Sequence, residues 1–220
     1  MSPVLKRTAL AVCALAALAM FSLNAPRIPA NATEPSTAAA AGAALDTAIF
    51  ASGCFWCTES DFEKVPGVVR AVSGYTGGHV ANPDYGIVGQ GRSGHTEAVE
   101  VTFDPARVSY ETLVEHYWRT TDVVDNGGQF CDRGSQYRPG IFPRTPEQKD
   151  IAEKSKAAID KSGILPSPIA VEITAASKFY PAEGYHQDYY KTNTLKYHFY
   201  RQGCGRDARL NALWGKQAGH

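Results

Sequence analysis

Residues 53–57 read Gly-Cys-Phe-Trp-Cys, and they separate two segments of different character. Residues 47–51 are apolar and partly β-branched, which is typical of a buried strand. Residues 58–64 can continue as a helix, so Cys54 is expected where a strand turns into a helix. Backbone N–H groups at a helix N-terminus favour an anion, and for a cysteine that anion is the nucleophilic thiolate. The stretch therefore predicts an activated thiol beside two aromatic rings.

The N-terminal residues have the pattern of an export signal rather than of a folded element. A basic pair at residues 6–7 precedes an apolar run at 8–21, and residues 30–32 form an A-x-A cleavage pattern. The apolar run is shorter than the about 18 residues that a membrane anchor needs, so we expect no stable membrane insertion. We predict a cleaved signal peptide at residues 1–32, a flexible lead-in at 33–45 and export, into the periplasm if the source is Gram-negative.

The rest of the chain is long enough for one domain with a sizeable core. We place this domain at residues 46–214, followed by a tail at 215–220. Lysines plus arginines equal aspartates plus glutamates, 22 of each, so no net charge attracts nucleic acid or an anionic membrane. Glycine, proline and tyrosine recur between short strand-like runs, which favours an α/β or α+β domain. No association motif is evident, and we expect a monomer.

Four cysteines remain once Cys13 leaves with the signal peptide: Cys54, Cys57, Cys131 and Cys204. In an oxidising compartment, four cysteines usually form two structural disulfides, with three possible pairings. A Cys-x-x-Cys pair such as Cys54 and Cys57 is more often redox-active or metal-binding. A zinc site needs a second pair at ligand spacing. Cys131 and Cys204 have no neighbouring cysteine or histidine, so we predict no metal site.

Residues 95–104 alternate between apolar and polar side chains, which predicts a strand. The period of two puts Glu97 on the same face as Val99 and Phe103. Burial raises the pKa of a carboxyl group, so a buried Glu97 can stay protonated and serve as an acid. The alternative is that Glu97 lies exposed at the strand end or pairs with Arg92. Alternation alone favours this alternative.

The remaining patterns predict helices and one long loop. Ser109 can cap a helix over residues 109–120, and Thr145-Pro146 opens a second helix that ends near Gly163. Residues 125–140 form a long polar loop, and such loops are often functional. His186 is either a polar site group or a packed, hydrogen-bonded core histidine. Glycines flank Cys204, which predicts a flexible segment there.

Residues 53–56, Gly-Cys-Phe-Trp, closely resemble the active-site signature of the A-type peptide methionine sulfoxide reductases. Further blocks are similar to the same family in the same order, at residues 73–75, 82–85, 94–97, 132–138 and 185–189. The resemblance covers nearly all of residues 46–214. It implies an α+β fold, a two-layer sandwich of mixed β-sheet and helices (a ferredoxin-like plait) with a long coiled C-terminal segment.

The resemblance also implies an activity, the thiol-dependent reduction of methionine S-sulfoxide, free or in proteins. By matching positions, Cys54 would attack the sulfoxide sulfur and Glu97 would protonate its oxygen. Tyr85 and Tyr137 would hydrogen-bond that oxygen, and Asp132 would hold the network in place. Such an enzyme would need no cofactor and would repair oxidised proteins. A thioredoxin-type dithiol would recycle it.

Substrate binding and recycling involve further positions of the same resemblance. Phe55 and Trp56 would form an apolar pocket for the substrate methyl group. The Cys54 sulfenic acid would condense with a second thiol, either Cys204, similar to the mobile resolving cysteine of the family, or Cys57, similar to a subset that resolves there. We favour Cys204 and keep open a relay that uses both. Cys131 receives no role beyond packing.

Two other classes of protein remain open from the residues alone. A thioredoxin-like disulfide oxidoreductase would use Cys54 and Cys57, but it would place no requirement on Glu97 or Tyr85. A secreted binding domain stapled by disulfides would use the aromatic side chains as a ligand platform. It would show no turnover and no thiol reactivity.

Overall fold

The computed structural model describes residues 44–219; the predicted signal peptide and nearly all of the lead-in lie outside these residues. The strands are β1 Asp46–Ala51, β2 Val68–Thr76, β3 Thr96–Phe103, β4 Gly128–Gln129, β5 Asp132–Arg133, β6 Gly140–Ile141, β7 Glu172–Ile173 and β8 Tyr180–Pro181. The helices are α1 Phe55–Glu63, α2 Tyr85–Gly89, α3 Tyr110–Arg119, α4 Pro146–Ser162, α5 Tyr189–Thr192, α6 Thr194–Gly203 and α7 Arg206–Trp214. Three short 3-10 turns lie at Ser135–Tyr137, Gly184–His186 and Gly215–Gln217.

A six-stranded sheet in the order β7-β6-β1-β3-β2-β8 forms the centre of the domain. Strand β1 pairs antiparallel with β3 and β6, and β6 pairs parallel with β7, so the sheet is mixed. The prediction of an α+β fold with a mixed sheet and helices is confirmed. Within the long loop at residues 125–140, β4 and β5 pair as a separate two-stranded ribbon.

One face of the sheet carries the main hydrophobic core. Alternation directs Phe50 of β1, and Val99 and Phe103 of β3, toward helices α1 and α3. The ring of Phe50 stacks on Phe62 of α1 at 4.6 Å between centroids. Glu97 belongs to this same buried face of β3. The apolar core therefore continues up to the carboxyl group, and α1 closes over it.

The predicted helix caps are confirmed. The Ser109 hydroxyl accepts a hydrogen bond from Thr112 N at 3.1 Å at the start of α3. Thr145 caps α4 in the same way, accepting from Gln148 N at 3.2 Å. Gly163 ends α4 in the left-handed conformation, with φ of +65°.

The expectation of a coiled C-terminal segment is wrong, because this segment folds into α5, α6 and α7. Two buried arginines fasten it to the core. Arg201 of α6 donates to Asp61 Oδ1 at 2.8 Å. Arg206 of α7 donates to the carbonyl oxygens of Ser52 and Thr120 at 3.0 and 2.8 Å. These bonds satisfy buried backbone acceptors at the ends of β1 and α3, which a solvated coil could not do.

Within residues 44–219 no helix is both long enough and apolar enough to cross a bilayer.

Replacing Arg206 by Met should destabilise the protein by about 3 kcal/mol, because the buried Asp61 carboxylate loses one of its three cationic neighbours, the others being Arg201 and Lys64. Lys154→Met is the matched control, since Lys154 is exposed and, in the part of the chain that the structure describes, pairs only with Asp150 on the same helix. It should change stability by less than about 1 kcal/mol. Urea denaturation of both variants measures the difference, and equal losses would contradict this role of Arg206.

Candidate active site

Cys54 lies where the sequence predicts it, between the end of β1 and the first residue of α1. Its carbonyl oxygen accepts hydrogen bonds from Cys57 N at 3.1 Å and Thr58 N at 3.2 Å, so it begins the helix. Gly53 before it has φ of +74°. A Cβ on Gly53 would lie 2.4 Å from Gln129 Cβ. Only glycine makes this turn without strain and collision, and the turn aims the Cys54 sulfur.

A cavity of about 190 Å³ opens beside Cys54. It is lined by Cys54, Phe55, Trp56, Tyr85, Glu97, Asp132, Tyr137 and Tyr200. The structure thus brings together all the predicted catalytic and substrate-binding residues. Cys54 immediately precedes α1, and the others come from α1, α2, β3, β5 and a 3-10 turn. The two predicted resolving cysteines do not line it.

Glu97 is 3% exposed, and its Oε2 accepts a hydrogen bond from Phe55 N at 3.0 Å. Burial raises the pKa of this carboxyl group to about 8, and the nearby charge of Asp132 adds to the rise. The Phe55 hydrogen bond opposes the rise but does not cancel it. The alternative of an exposed Glu97 is wrong, and among the described residues no ion pair joins it to Arg92. Glu97 is an uncharged acid at neutral pH.

Among residues 44–219, Cys54 and Cys57 are the free cysteines, and both are buried. Burial raises the pKa of the Cys54 thiol well above its ordinary value, and hydrogen bonding to Cys57 adds to this. The hydrogen bond from Cys54 lowers the pKa of Cys57, and the positive charges of Arg206 and Arg201 act in the same direction. Burial therefore opposes the ionisation of Cys54 that a helix N-terminus favours. Of the two thiols, Cys57 is therefore the one that ionises more readily.

Tyr85 and Tyr137 face the cavity as hydrogen-bond donors. Asp84 caps α2 by accepting from Ile87 N at 2.7 Å, and Glu183 accepts from Tyr85 N at 2.9 Å, so two carboxyl groups hold the N-terminal end of this short helix. Burial raises the pKa of Tyr85 to about 12. Burial also raises the pKa of Tyr137. Both hydroxyl groups keep their protons at neutral pH.

Tyr200 is a cavity residue that the sequence did not reveal. Its hydroxyl donates to Asp132 Oδ2, and it also faces the Cys54 thiol. Burial raises the pKa of Asp132 in spite of this hydrogen bond. The one available signal was the position of Tyr200, one helical turn before Cys204 in the aromatic-rich C-terminal segment.

His186 supports the aromatic wall from behind. It is 2% exposed, and its Nδ1 accepts from Trp56 Nε1 at 3.0 Å. Its ring packs against those of Phe55 and Tyr85 at 4.9 and 4.5 Å between centroids. On its other side, Trp56 stacks on Tyr189 at 3.7 Å. Of the two alternatives for His186, the packed and hydrogen-bonded histidine is the observed one.

Cys131 and Cys204 form a disulfide across 73 residues of sequence. Cys204 directly follows α6 rather than lying on a flexible coil, and Cys131 is exposed rather than packed inside. Cys57, the other predicted resolving cysteine, lies one turn from Cys54 on α1.

A buried thiol, a carboxylic acid that keeps its proton and hydroxyl donors around one small cavity suit the transfer of an oxygen atom onto sulfur. The fold and the site define a thiol-dependent oxidoreductase. Residues 46–218 match the family described as peptide methionine sulfoxide reductase. The chain belongs to this family, which confirms the resemblance and displaces the thioredoxin-like and binding-domain alternatives.

Relatives with this name match over most of their length. Peptide methionine sulfoxide reductase MsrA of Listeria welshimeri is 55% identical over 170 residues, 77% of this chain and 96% of the relative. MsrA 2 of Caulobacter vibrioides is 50% identical over 200 residues, 91% of this chain and 95% of the relative.

Solved structures of relatives share the fold. Methionine sulfoxide reductase A of Corynebacterium diphtheriae has a TM-score of 0.61 and 32% identity, covering 69% of this chain and 76% of that chain. Mxr1 of Saccharomyces cerevisiae in reduced form has a TM-score of 0.64 and 27% identity, covering 68% of this chain and 86% of that chain.

The buried proton on Glu97 should make stability depend on pH. The carboxyl group ionises near pH 4.5 when unfolded and near pH 8 when folded, so folding takes up a proton between these values. The stability it contributes is complete below pH 4.5 and falls as pH rises, by up to about 1.4 kcal/mol per pH unit. Glu97→Gln should lack this fall. Urea denaturation across the range measures it. Exposed Glu153→Gln is the control and should keep the wild-type slope, and a Glu97→Gln slope equal to wild type would contradict the assignment.

Proposed function

We propose that this chain reduces the S epimer of methionine sulfoxide, free or in proteins, and so repairs oxidised proteins. The observation that carries the proposal is the buried Glu97 carboxyl group in the same cavity as the Cys54 thiol. A sulfoxide needs two things at once, a nucleophile for its sulfur and a proton for its oxygen. The cavity offers both.

The chemistry begins with attack of Cys54 on the electrophilic sulfoxide sulfur. Glu97 donates its proton to the sulfoxide oxygen as the S–O bond weakens. Tyr85 and Tyr137 donate hydrogen bonds to that oxygen and stabilise the charge that develops on it. The bond between the two sulfurs then breaks as the protonated oxygen passes to the Cys54 sulfur, which releases methionine and leaves a Cys54 sulfenic acid. The oxygen atom has thus moved from the substrate to the enzyme.

The raised pKa of Cys54 fits a coupled transfer of two protons. The thiol loses its proton as it forms the bond to sulfur, and Glu97 loses its own to the oxygen. If the thiol proton replaces the one that Glu97 gives, the buried cavity gains no net charge. Avoiding an unpaired buried charge is worth several kcal/mol. Nucleophile and acid then act together.

Phe55 and Trp56 form the apolar wall against which the substrate methyl group would pack. Phe55 is 1% exposed, and Trp56 is held between His186 and Tyr189. A rigid apolar wall on one side and hydroxyl donors on the other distinguish the methyl group from the oxygen. This arrangement supports selection of one sulfoxide epimer.

Cys57 supports the next step better than Cys204 does. It is hydrogen-bonded to Cys54, whereas Cys204 is held by Cys131. Cys57 would attack the sulfenic acid and release water, leaving a Cys54–Cys57 disulfide. A thioredoxin-type dithiol protein would return the enzyme to its reduced form.

Turnover of separated methionine sulfoxide epimers with dithiothreitol tests the activity. Wild type should reduce the S epimer and leave the R epimer, and Cys54→Ser should abolish the reaction because serine is a far weaker nucleophile here. A folded, reduced wild-type protein that reduces neither epimer would refute the proposal.

The same assay separates the roles of the other residues. Glu97→Gln should lower turnover by about a hundredfold or more. Tyr137→Phe should lower it by about ten- to a hundredfold. Tyr110→Phe is the matched control, because the Tyr110 hydroxyl is buried in the core and has no hydrogen-bond partner among the described residues. It should leave turnover unchanged.

Export is a separate part of the proposal and rests on the signal pattern of residues 1–32. Full-length protein expressed in a Gram-negative host should appear in the periplasmic fraction, with its N-terminus just after the A-x-A pattern. Uncleaved protein confined to the cytoplasm would contradict this.

A further inference from the structure

The segment at residues 186–191 runs along one face of helix α1. Trp56, Glu59 and Glu63 share this face, because residues three or four positions apart in a helix lie one above the other. The segment contacts all three of these side chains. It is therefore fastened to the same helix that begins at Cys54.

The position of Trp56 in the cavity wall depends on this segment. Trp56 is half-buried and lines the cavity, so the core does not enclose it. Its indole N–H donates to His186 Nδ1 at 3.0 Å, and its ring stacks on Tyr189 at 3.7 Å between centroids. The Tyr200 ring meets it edge-on at 5.8 Å. The two closest partners of Trp56 thus both belong to the segment.

Glu59 holds the middle of the segment although it is far from the surface. It is 1% exposed, and its Oε1 accepts a hydrogen bond from Asp188 N at 2.9 Å. Its Oε2 accepts from the Ser73 hydroxyl at 2.6 Å. Asp188 has φ of +51°, a conformation that costs free energy for a residue other than glycine. The bond to Glu59 offsets part of this cost and fixes the residue directly before Tyr189.

Gln187 fastens the other side of the segment to strand β2. Its Oε1 accepts from Ser73 N at 3.0 Å, and its Nε2 donates to Ser73 O at 2.9 Å. The segment is therefore held between β2 and α1, and Glu59 links its backbone to the helix that carries Trp56.

We propose that Glu59 is a positioning residue for substrate binding, which holds Trp56 in the cavity wall through Asp188 and Tyr189. The proposal rests on the reductase activity proposed above. Glu59 does not line the cavity and touches no reacting atom. It acts on how well the wall fits the substrate methyl group rather than on the chemical step.

The anchor works in both protonation states of Glu59. Burial raises the pKa of this carboxyl group to about 7, against the hydrogen bonds from Ser73 and Asp188, which lower it. The charges of Glu63 and Asp188 add a smaller rise. Oε1 accepts from Asp188 N in either state, and a protonated Oε2 donates to the Ser73 hydroxyl, which can also accept. A glutamine amide offers the same acceptor and donor.

First-turnover kinetics of the reduced protein test the proposal, because they separate binding from chemistry. Reduced protein freed of dithiothreitol is mixed with excess S-sulfoxide, and the rate of methionine formation is followed against substrate concentration. Glu59→Leu should raise the half-saturating concentration about five- to tenfold and change the limiting rate less than about twofold, since Cys54 and Glu97 stay in place. Glu59→Gln should keep both values within about twofold of wild type.

Ile159→Ala controls for a general loss of stability. Ile159 packs in the core on α4 and does not line the cavity, so its truncation destabilises the fold and should leave the half-saturating concentration unchanged. An unchanged half-saturating concentration in Glu59→Leu would overturn the proposal, and so would an equal rise in Glu59→Gln or Ile159→Ala. No methionine from wild type would instead refute the reductase activity itself.

A double variant tests the route from Glu59 to Trp56. Tyr189→Leu removes the stacking partner of Trp56 and should also raise the half-saturating concentration. Adding Glu59→Leu to it should raise this concentration further by less than about twofold, because both changes release the same segment. A second full rise would show that Glu59 acts independently of the segment and would contradict the proposal.

Ser73→Ala provides a milder test that holds even where Glu59→Leu does not fold. It removes one of the two hydrogen bonds to the Glu59 carboxyl group and leaves the backbone bonds of Ser73 to Gln187 in place. The half-saturating concentration should rise about two- to threefold at an unchanged limiting rate. A lower limiting rate at an unchanged half-saturating concentration would overturn the positioning role.

Discussion

The hydrogen bond from Phe55 N to the Glu97 carboxyl group at 3.0 Å is the contact on which the site depends. It joins the first turn of α1 to β3, and it lies where the apolar core reaches the cavity. Burial keeps the Glu97 carboxyl group protonated, and Glu97 is buried because α1 covers it. The strand, the helix and the acid therefore form one unit. The turn at Gly53 then sets Cys54 beside this acid.

The C-terminal helices belong to the active site as much as the N-terminal signature does. Arg201 and Arg206 pair with Asp61 on the face of α1 that also carries Cys57, so two buried cations and one carboxylate surround that thiol. The positive charges of Arg206 and Arg201 lower the pKa of the Cys57 thiol. The same anchoring positions Tyr200 over the cavity. The charges that fasten the C-terminal segment thus also bias the chemistry of the cysteine pair.

Much of this arrangement was readable from local patterns, and the rest required tertiary contacts. Alternation placed Glu97 on the core face of β3, but only the packing of α1 decides that it is buried. The turn at Gly53 was predicted, whereas the raised pKa of Cys54 depends on how tightly the cavity closes. Nothing local links Cys131 to Cys204 across 73 residues. The prediction of a coiled C-terminal segment was wrong, because the sequence does not show that Arg201 and Arg206 pair with the distant Asp61.

The stacking of Trp56 on Tyr189 gives the protein a built-in optical signal. Of its three tryptophans, Trp118 is fully buried in the core and Trp214 packs under Arg119, whereas Trp56 borders the cavity. Indole emission is sensitive to ring contacts and to nearby sulfur. Occupation of the cavity or oxidation of Cys54 changes the surroundings of this one indole. Its fluorescence therefore lets binding and the redox cycle be followed in real time without a label.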